Sequence, residues 1–110
     1  MLEEIFEELK AELLETEGDK FNETLLRSKI KSAYRSIQSA AELSTEEMSE
    51  ASIEREMEKY YSNVYELSLY RYNKVGAEGL TQYSQDGVSQ HYEDEKEFYH
   101  GVRPYAKIVG

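Results

Sequence analysis

The sequence changes character within one stretch, which is Gly76-Ala-Glu-Gly-Leu-Thr-Gln-Tyr-Ser-Gln-Asp-Gly-Val-Ser-Gln-His-Tyr92. This stretch follows the longest helical pattern in the chain. Because glycine has no Cβ, Gly76 can adopt the left-handed conformation that ends a helix. Leu80 to Tyr92 then read as two short polar strands around Asp86-Gly87, which is a strong hairpin signal. The stretch therefore predicts a helix that ends at Gly76 and a polar β-hairpin after it.

A polar hairpin on a helical body has little apolar surface of its own to bury. We therefore expect the hairpin to contact another protein rather than to stabilise its own domain. The residues expected in this contact are Gly76, Gly79, Tyr83, Ser84, Asp86, Gly87, Val88 and Tyr92.

Composition restricts the possible functions. The 110 residues suit one domain, 1–110, with a helical body at 1–75, the hairpin at 76–92 and a C-terminal helix and arm at 93–110. The net charge of −10 argues against general affinity for nucleic acid, which draws on clustered Lys and Arg. Cysteine is absent, which excludes disulfides and thiolate metal sites.

The sequence also indicates no membrane partner. No apolar run approaches the ~20 residues of a membrane-spanning helix. The N-terminal residues Met1-Leu2-Glu3-Glu4 have the wrong charge for a signal peptide. We therefore expect a protein that is cytosolic when it is made.

Two amphipathic helices of opposite charge are predicted in the N-terminal half. The first has an apolar stripe and an acidic face, and residues 1–17 hold seven acids against one base, a local charge of −6. We expect it to end near Gly18-Asp19. The second runs from about Asn22, an N-cap residue type, to Glu42. Its basic residues Arg27, Lys29, Lys31 and Arg35, with Lys20 just before it, make this the one basic segment of the chain.

Three interpretations of the basic helix are open. Its charges could face DNA or an acidic neighbour. The helix could instead pack beside the acidic first helix, with its charges solvated. Copies of the chain could also set the acidic helix of one against the basic helix of the next. The candidate interface residues on this helix are Arg27, Lys31 and Arg35.

A long third helix is predicted from an imperfect capping box at Ser52 to about Val75. Nine of the ten tyrosines lie from Tyr60 onward. The segment from Tyr60 to Tyr72 is aromatic on more than one face, and such a helix is normally buried by more than a small domain supplies. We therefore expect self-association, with Tyr70 and Tyr72 as interface residues.

A short C-terminal helix is predicted after the hairpin. Glu93-Asp94-Glu95 would start it, with Asp94 as its cap, and it would continue through Tyr99. Gly101 would end it, and Pro104 prevents its continuation.

The chain then closes with an apolar tail, Tyr105 to Val109, which is either a strand or an extended arm. Tyr105 and Ile108 are its candidate interface residues. The expected fold class is mainly α: a small bundle of three helices, one of them long, with a protruding polar β-hairpin and a short C-terminal helix and tail.

Known patterns of catalytic chemistry are absent from the sequence. His91 and His100 are nine positions apart and match no metal-ligand spacing. The many glutamates fall on solvent-facing helix positions, whereas acid–base catalysis requires burial or a charged partner. Gly76-x-x-Gly79 follows a helix, so it is not a phosphate loop. We therefore expect no catalytic residue, no cofactor and no metal.

One segment resembles a known family. It is Tyr70-x-Tyr72-Asn73-x-x-Gly76-Ala77-Glu78-Gly79, followed by Ser84-x-Asp86-Gly87-Val88-Ser89 and Tyr92. This resembles the small head–tail connector proteins, also called adaptor or head-completion proteins, of long-tailed bacteriophages and prophages. In members of that family an acidic helix, a basic helix and a long third helix with this ending precede a polar hairpin and a short C-terminal helix. The order matches nearly the whole chain.

The resemblance implies a structural, non-enzymatic protein of the virion neck, present in the host cytoplasm before assembly. It implies a ring, typically of twelve subunits, beneath the portal protein, from subunits that are often monomers in isolation. Such a ring extends the DNA channel, through which double-stranded DNA passes without specific binding, and offers a docking surface to the stopper or tail-completion protein. The alternatives are another neck or tail-completion protein, or a small acidic helical regulator that binds another protein.

Overall fold

The computed structural model describes residues 1–78 and 95–105. Within these ranges lie four α-helices: α1 (Leu2–Glu17), α2 (Glu23–Ala40), α3 (Glu50–Met57) and α4 (Tyr61–Glu78). Short 3₁₀ turns occupy Gly18–Lys20, Glu58–Tyr60 and Lys96–Tyr99. The described ranges contain no strand, and the prediction of a mainly α fold is confirmed. The predicted hairpin and the tail after residue 105 lie outside the described residues.

The connection between α1 and α2 follows the prediction closely. Gly18 has a φ of 57°, a left-handed conformation that suits glycine, and its N–H donates to the carbonyl of Leu14. Asn22 then caps α2, because its side-chain oxygen accepts a 2.9 Å hydrogen bond from the N–H of Leu25. These two residues turn the chain back so that α2 packs against α1.

α2 ends at Ala40, two residues before the predicted end. Glu42 has a φ of 56°, and the N–H groups of Glu42 and Leu43 donate to the carbonyls of Ser39 and Gln38 at 3.0 and 3.1 Å. This is the Schellman arrangement, in which glycine usually occupies the left-handed position. A glutamate in that position was not recognisable in the sequence as a helix end.

The predicted long third helix is two helices in the structure. The cap of α3 is Ser49, whose Oγ accepts a 3.1 Å hydrogen bond from the N–H of Ser52, so the prediction of Ser52 as the cap was wrong. The 3₁₀ turn at Glu58–Tyr60 then separates α3 from α4. Neither proline nor glycine lies at this break, so the sequence carried no signal for it.

Gly76 does not end α4, because the helix continues to Glu78. The predicted cap at Gly76 was therefore wrong. A glycine inside a helix lowers the stability of that helix by only about 1 kcal/mol relative to alanine. The helix can therefore continue through Gly76.

One hydrophobic core joins the four helices. α1 and α2 contribute apolar stripes at helical spacing, α3 contributes Ile53 and Met57, and α4 contributes Val64 and Leu67. The stripes of the first two helices are Ile5, Phe6, Leu9 and Leu13, then Leu26, Ile30, Ala33 and Ile37. No helix in the described ranges is long and apolar enough to cross a membrane.

The C-terminal segment returns along α4. Residues Lys96–Tyr99 form a 3₁₀ turn, where a short α-helix was predicted, and Gly101 leaves it with a φ of 81°. The side-chain amide of Asn63 donates to the carbonyls of Phe98 and His100, each at 2.9 Å. The N–H of Tyr105 then donates to the carbonyl of Ala41 at 2.8 Å, which ties the segment to the end of α2.

Candidate interaction surface

The packing of α1, α2 and α4 creates a seam between each pair of helices. Different polar residues close each seam. These residues determine which charged side chains form ion pairs within the subunit and which are exposed to a partner.

Arg27 closes the seam between α1 and α2. Its Nη1 lies 3.0 Å from Glu3 Oε2, its Nε lies 3.5 Å from Glu23 Oε2, and its guanidinium carbon stands 3.7 Å from the centre of the Phe6 ring. The hydrogen bond to Glu3 is the largest cause of a raised pKa of Arg27. Arg27, a predicted interface residue, is therefore paired inside the subunit. This matches the interpretation in which the basic helix packs beside the acidic one.

Lys31 and Arg35 lie farther round α2 and are exposed. Within residues 1–78 and 95–105, neither forms an ion pair. They lie one turn apart on α2: Arg35 lies opposite the buried stripe of Ile30, Ala33 and Ile37, whereas Lys31 lies at the edge of the α1–α2 seam beside Glu3 and Phe6. We call Lys31 and Arg35 the basic α2 face.

Two tyrosines of α4 close the seam with α1. The hydroxyl of Tyr61 donates to Glu8 Oε1 at 2.8 Å, and the hydroxyl of Tyr65 donates to Glu12 Oε1 at 3.0 Å. The two rings are stacked, with centroids 6.5 Å apart and planes at 22°. Burial, followed by the bond to Glu8, raises the pKa of Tyr61 to about 12. We call these two tyrosines and their two glutamates the Tyr–Glu seam.

A cleft of about 210 Å³ opens on the Tyr–Glu seam, and it is lined by Glu8, Tyr61, Ser62, Tyr65 and Glu66. In the described part of the chain, no Lys or Arg forms an ion pair with Glu8, Glu12 or Glu66. A tyrosine hydroxyl donates a hydrogen bond without cancelling the carboxylate charge. The cleft therefore combines aromatic rings with negative charge, a combination that attracts cationic side chains.

Tyr72 extends this row of contacts into the core. Its hydroxyl donates to Glu17 Oε1 at 2.6 Å and accepts the N–H of Asn22 at 3.0 Å. The side chain is 4% exposed, and its ring lies 6.2 Å from the ring of Phe21. Tyr72 was expected at an interface with another chain, but the structure places it in the core of the subunit. Its helix carries aromatic residues on several faces, and the sequence did not indicate which face α1 covers.

Arg71 and Glu95 close the seam between α2 and α4. Arg71 makes two hydrogen bonds to the carboxylate of Glu95, at 2.8 and 2.7 Å, and a third to Ser32 Oγ at 2.6 Å. The two side chains are only 15% and 8% exposed. The bond to Glu95 is the largest cause of a raised pKa of Arg71. Sequence reasoning missed this pair, because Arg71 and Glu95 are 24 positions apart and no local pattern joins them.

This ion pair fixes the point at which the described chain resumes after α4. The chain leaves α4 after Glu78, seven residues or about 10 Å beyond Arg71 at 1.5 Å per residue. It returns at Glu95, which Arg71 holds against α4. The described chain therefore resumes beside α4, about two helical turns before the residue at which α4 ends.

The remaining predicted interface residues fall into two groups. Tyr70 is half-buried: its ring centroid is 4.9 Å from that of Phe98, and its hydroxyl accepts a bond from Lys74 at 3.3 Å. Tyr105 is 39% exposed, beside an open groove that also contains Arg103 and Pro104. The members of the predicted set that lie outside the described residues are Gly79, Tyr83, Ser84, Asp86, Gly87, Val88, Tyr92 and Ile108.

In the described part of the chain, no cluster of three His, Asp or Glu side chains is arranged to hold a metal ion. Comparison with curated proteins and with solved structures gave no significant match. Comparison with protein-family models gave a match to the family described as Phage gp6-like head-tail connector protein, which covers residues 6–105.

Proposed function

This chain belongs to the phage gp6-like head–tail connector family, and we propose that it is the adaptor subunit that forms a ring beneath the portal. Family membership implies a structural role in the phage neck, a place in the virion and contacts with head and tail proteins. The proposal adds the arrangement: a closed ring, with twelve subunits as the expected number, that extends the DNA channel and receives the stopper or tail-completion protein.

The separation of charge on the subunit supports a ring. The basic α2 face and the acidic Tyr–Glu seam are both exposed. They lie on different sides of α1, since Lys31 lies beside Glu3 and Phe6 whereas Glu8 and Glu12 form the seam. In a ring each subunit shows its neighbour a different surface. Complementary charge on those two surfaces speeds encounter and favours the correct orientation.

The Arg71–Glu95 pair is compatible with a contact segment between α4 and the C-terminal segment. It holds Glu95, the first described residue after 79–94, against α4. We propose that residues 76–92 contact the portal or an adjacent subunit, and that the arm from Tyr105 to Ile108 adds to that contact. Fixing a segment costs about 1–2 kcal/mol per residue, so ordering on docking would tie assembly to the presence of the portal.

The charge of the chain supports a passive role toward DNA. A net charge of −10 disfavours binding to phosphates, so DNA could slide through the ring without being held. We assign no catalytic role to any residue, and we propose that subunits wait in the host cytoplasm as monomers before assembly.

Light scattering after size separation tests the proposal. The purified chain alone should elute as a monomer. Mixed with the portal ring of the same phage, it should add the mass of several subunits, with twelve expected. A chain that never joins the portal, and instead binds a different soluble protein one-to-one, would identify a small acidic regulator and overturn the proposal.

A further inference from the structure

The cleft on the Tyr–Glu seam has the composition of a receptor for a cationic side chain. Tyr61 and Tyr65 provide stacked rings, and Glu8 and Glu66 provide carboxylates at its margin. Tyr61 is held in place by its 2.8 Å bond to Glu8. An arginine or lysine that enters the cleft would meet ring faces and negative charge together, which is the arrangement that favours cation–π contact.

The spacing of the acidic groups matches that of the basic α2 face. Glu8 and Glu12 are four residues apart on α1, as are Tyr61 and Tyr65 on α4. Lys31 and Arg35 are also four residues apart, on α2. Residues at this spacing on a helix have Cβ atoms about 5–6 Å apart. Two cations of one chain can therefore face two carboxylates of another at the same interval.

The two faces cannot meet within one subunit, because α2 carries one of them and the α1–α4 seam carries the other. Two copies can satisfy only one such contact, which leaves an unused face at each end of the pair. Further copies then add in the same direction until the rotation closes. The occupant of the cleft that this arrangement favours is a second copy of the chain.

We infer that the cleft between Tyr61 and Tyr65, with the carboxylates of Glu8, Glu12 and Glu66, receives Lys31 and Arg35 of the neighbouring subunit. The inference rests on the proposed function, since it assumes that copies of this chain stand side by side. It goes further by assigning the contact to the α4 tyrosines and to two cations, with Arg27 excluded because it is paired within its own subunit.

The absence of native cysteine makes a direct test possible. A full-length chain carrying both Ser28→Cys and Ser62→Cys, two exposed positions beside the proposed contact that leave its charges unchanged, is bound to the portal ring and treated with a short bismaleimide. We expect a ladder of covalent dimers, trimers and larger chains on a denaturing gel. Each single-cysteine variant should give no ladder, and the pair Glu46→Cys with Ser62→Cys, which replaces an exposed residue in the loop after α2, is the matched control.

A second test uses charge rather than geometry. The double variant Lys31→Glu with Arg35→Glu should assemble on the portal at least tenfold less than the unchanged chain does. Adding Glu12→Lys and Glu66→Lys to that variant should restore most of the assembly. Circular dichroism of each variant checks that the helices are retained.

The outcomes separate this inference from the proposed function. A ring that forms on the portal without a ladder, or with cross-links to the portal alone, overturns the inference and leaves the proposed function intact. Failure to bind the portal at all, with no ladder at high concentration of the chain alone, overturns both. A ladder with charge rescue supports the contact.

Discussion

Arg71 and Glu95 form a two-point ion pair across the seam between α2 and α4, with N–O distances of 2.8 and 2.7 Å. The pair joins the last long helix to the segment that returns along it. Ser32 of α2 accepts a third hydrogen bond from the same guanidinium, so three parts of the chain meet at one side chain. The pair thereby fixes Glu95, the first described residue after α4, against that helix.

Removal of Arg71 should strongly destabilise the subunit. In Arg71→Ala, the carboxylate of Glu95, which is 8% exposed, would lose both hydrogen bonds to the guanidinium, and breaking a buried ion pair by removing one partner costs about 3 kcal/mol. Urea unfolding measures the loss. Lys59→Ala is the control, since its pair with Glu56 has an exposed ammonium and should contribute nothing measurable. Equal effects of the two variants would contradict the structural role assigned to Arg71.

The stability of the protein should decrease above pH 10 in a way that depends on Tyr61. The pKa of Tyr61 is raised from 10.0 to about 12. Below pH 10 the hydroxyl stays protonated in both folded and unfolded chains, so its contribution to stability is complete. Between pH 10 and about 12 the unfolded chain loses this proton first, and the free energy of unfolding decreases.

Phenolate absorbance during a pH titration measures this pKa directly. Tyr61→Phe should remove a component that titrates near pH 12, and Glu8→Gln should lower the pKa of Tyr61 by removing a neighbouring negative charge. A Tyr61 that titrates at its ordinary value would show that the α1–α4 seam is open in solution.

Tyr72 should behave as a core residue and Tyr70 as a residue of the surface segment. Tyr72→Ala removes a ring that is 4% exposed, which should cost about 3–5 kcal/mol. Tyr72→Phe keeps the ring and loses the hydroxyl contacts to Glu17 and Asn22, at about 1 kcal/mol. Tyr70→Ala should cost less than Tyr72→Ala, because Tyr70 is only half-buried. If Tyr72→Ala were as stable as the unchanged protein but no longer docked on its partner, Tyr72 would be an interface residue and not a core residue.

Gly76→Ala should stabilise the protein slightly. Gly76 lies inside α4, where alanine is favoured over glycine by about 0.5–1 kcal/mol. Gly18→Ala is the matched control: Gly18 has a φ of +57° with open space around it, so alanine there should destabilise the protein through backbone strain alone. Thermal unfolding of the two variants should show shifts of opposite sign. A loss of stability in Gly76→Ala would restore the predicted helix end at Gly76.

Local signals in the sequence were sufficient for much of the helical body. The apolar stripes of α1 and α2, the turn at Gly18 and the cap at Asn22 depend on residues within one or two helical turns, and all appear in the structure. Ser49 and Ser52 show the limit of such signals. Both are capping residue types three positions apart, and only the structure shows which hydroxyl accepts the bond.

The site depends on contacts that no local pattern records. Arg71 and Glu95 are 24 positions apart, and Tyr61 and Glu8 are 53 apart, so each pair follows from how the helices rotate against one another. The tyrosine-rich sequence of this helix led to the expectation that another chain buries Tyr72, whereas the structure buries Tyr72 within its own subunit. The Tyr–Glu seam was not predicted, because apolar residues spaced three and four positions apart do not show which face of α4 packs against the acidic α1.

Cryo-microscopy of the assembled neck tests the central claim most directly. The account predicts a closed ring of this chain beneath the portal, with Lys31 and Arg35 of each subunit at the Tyr–Glu seam of the next and with residues 76–92 in contact with another chain. A neck in which the chain forms no ring, or in which residues 76–92 touch nothing, would contradict it.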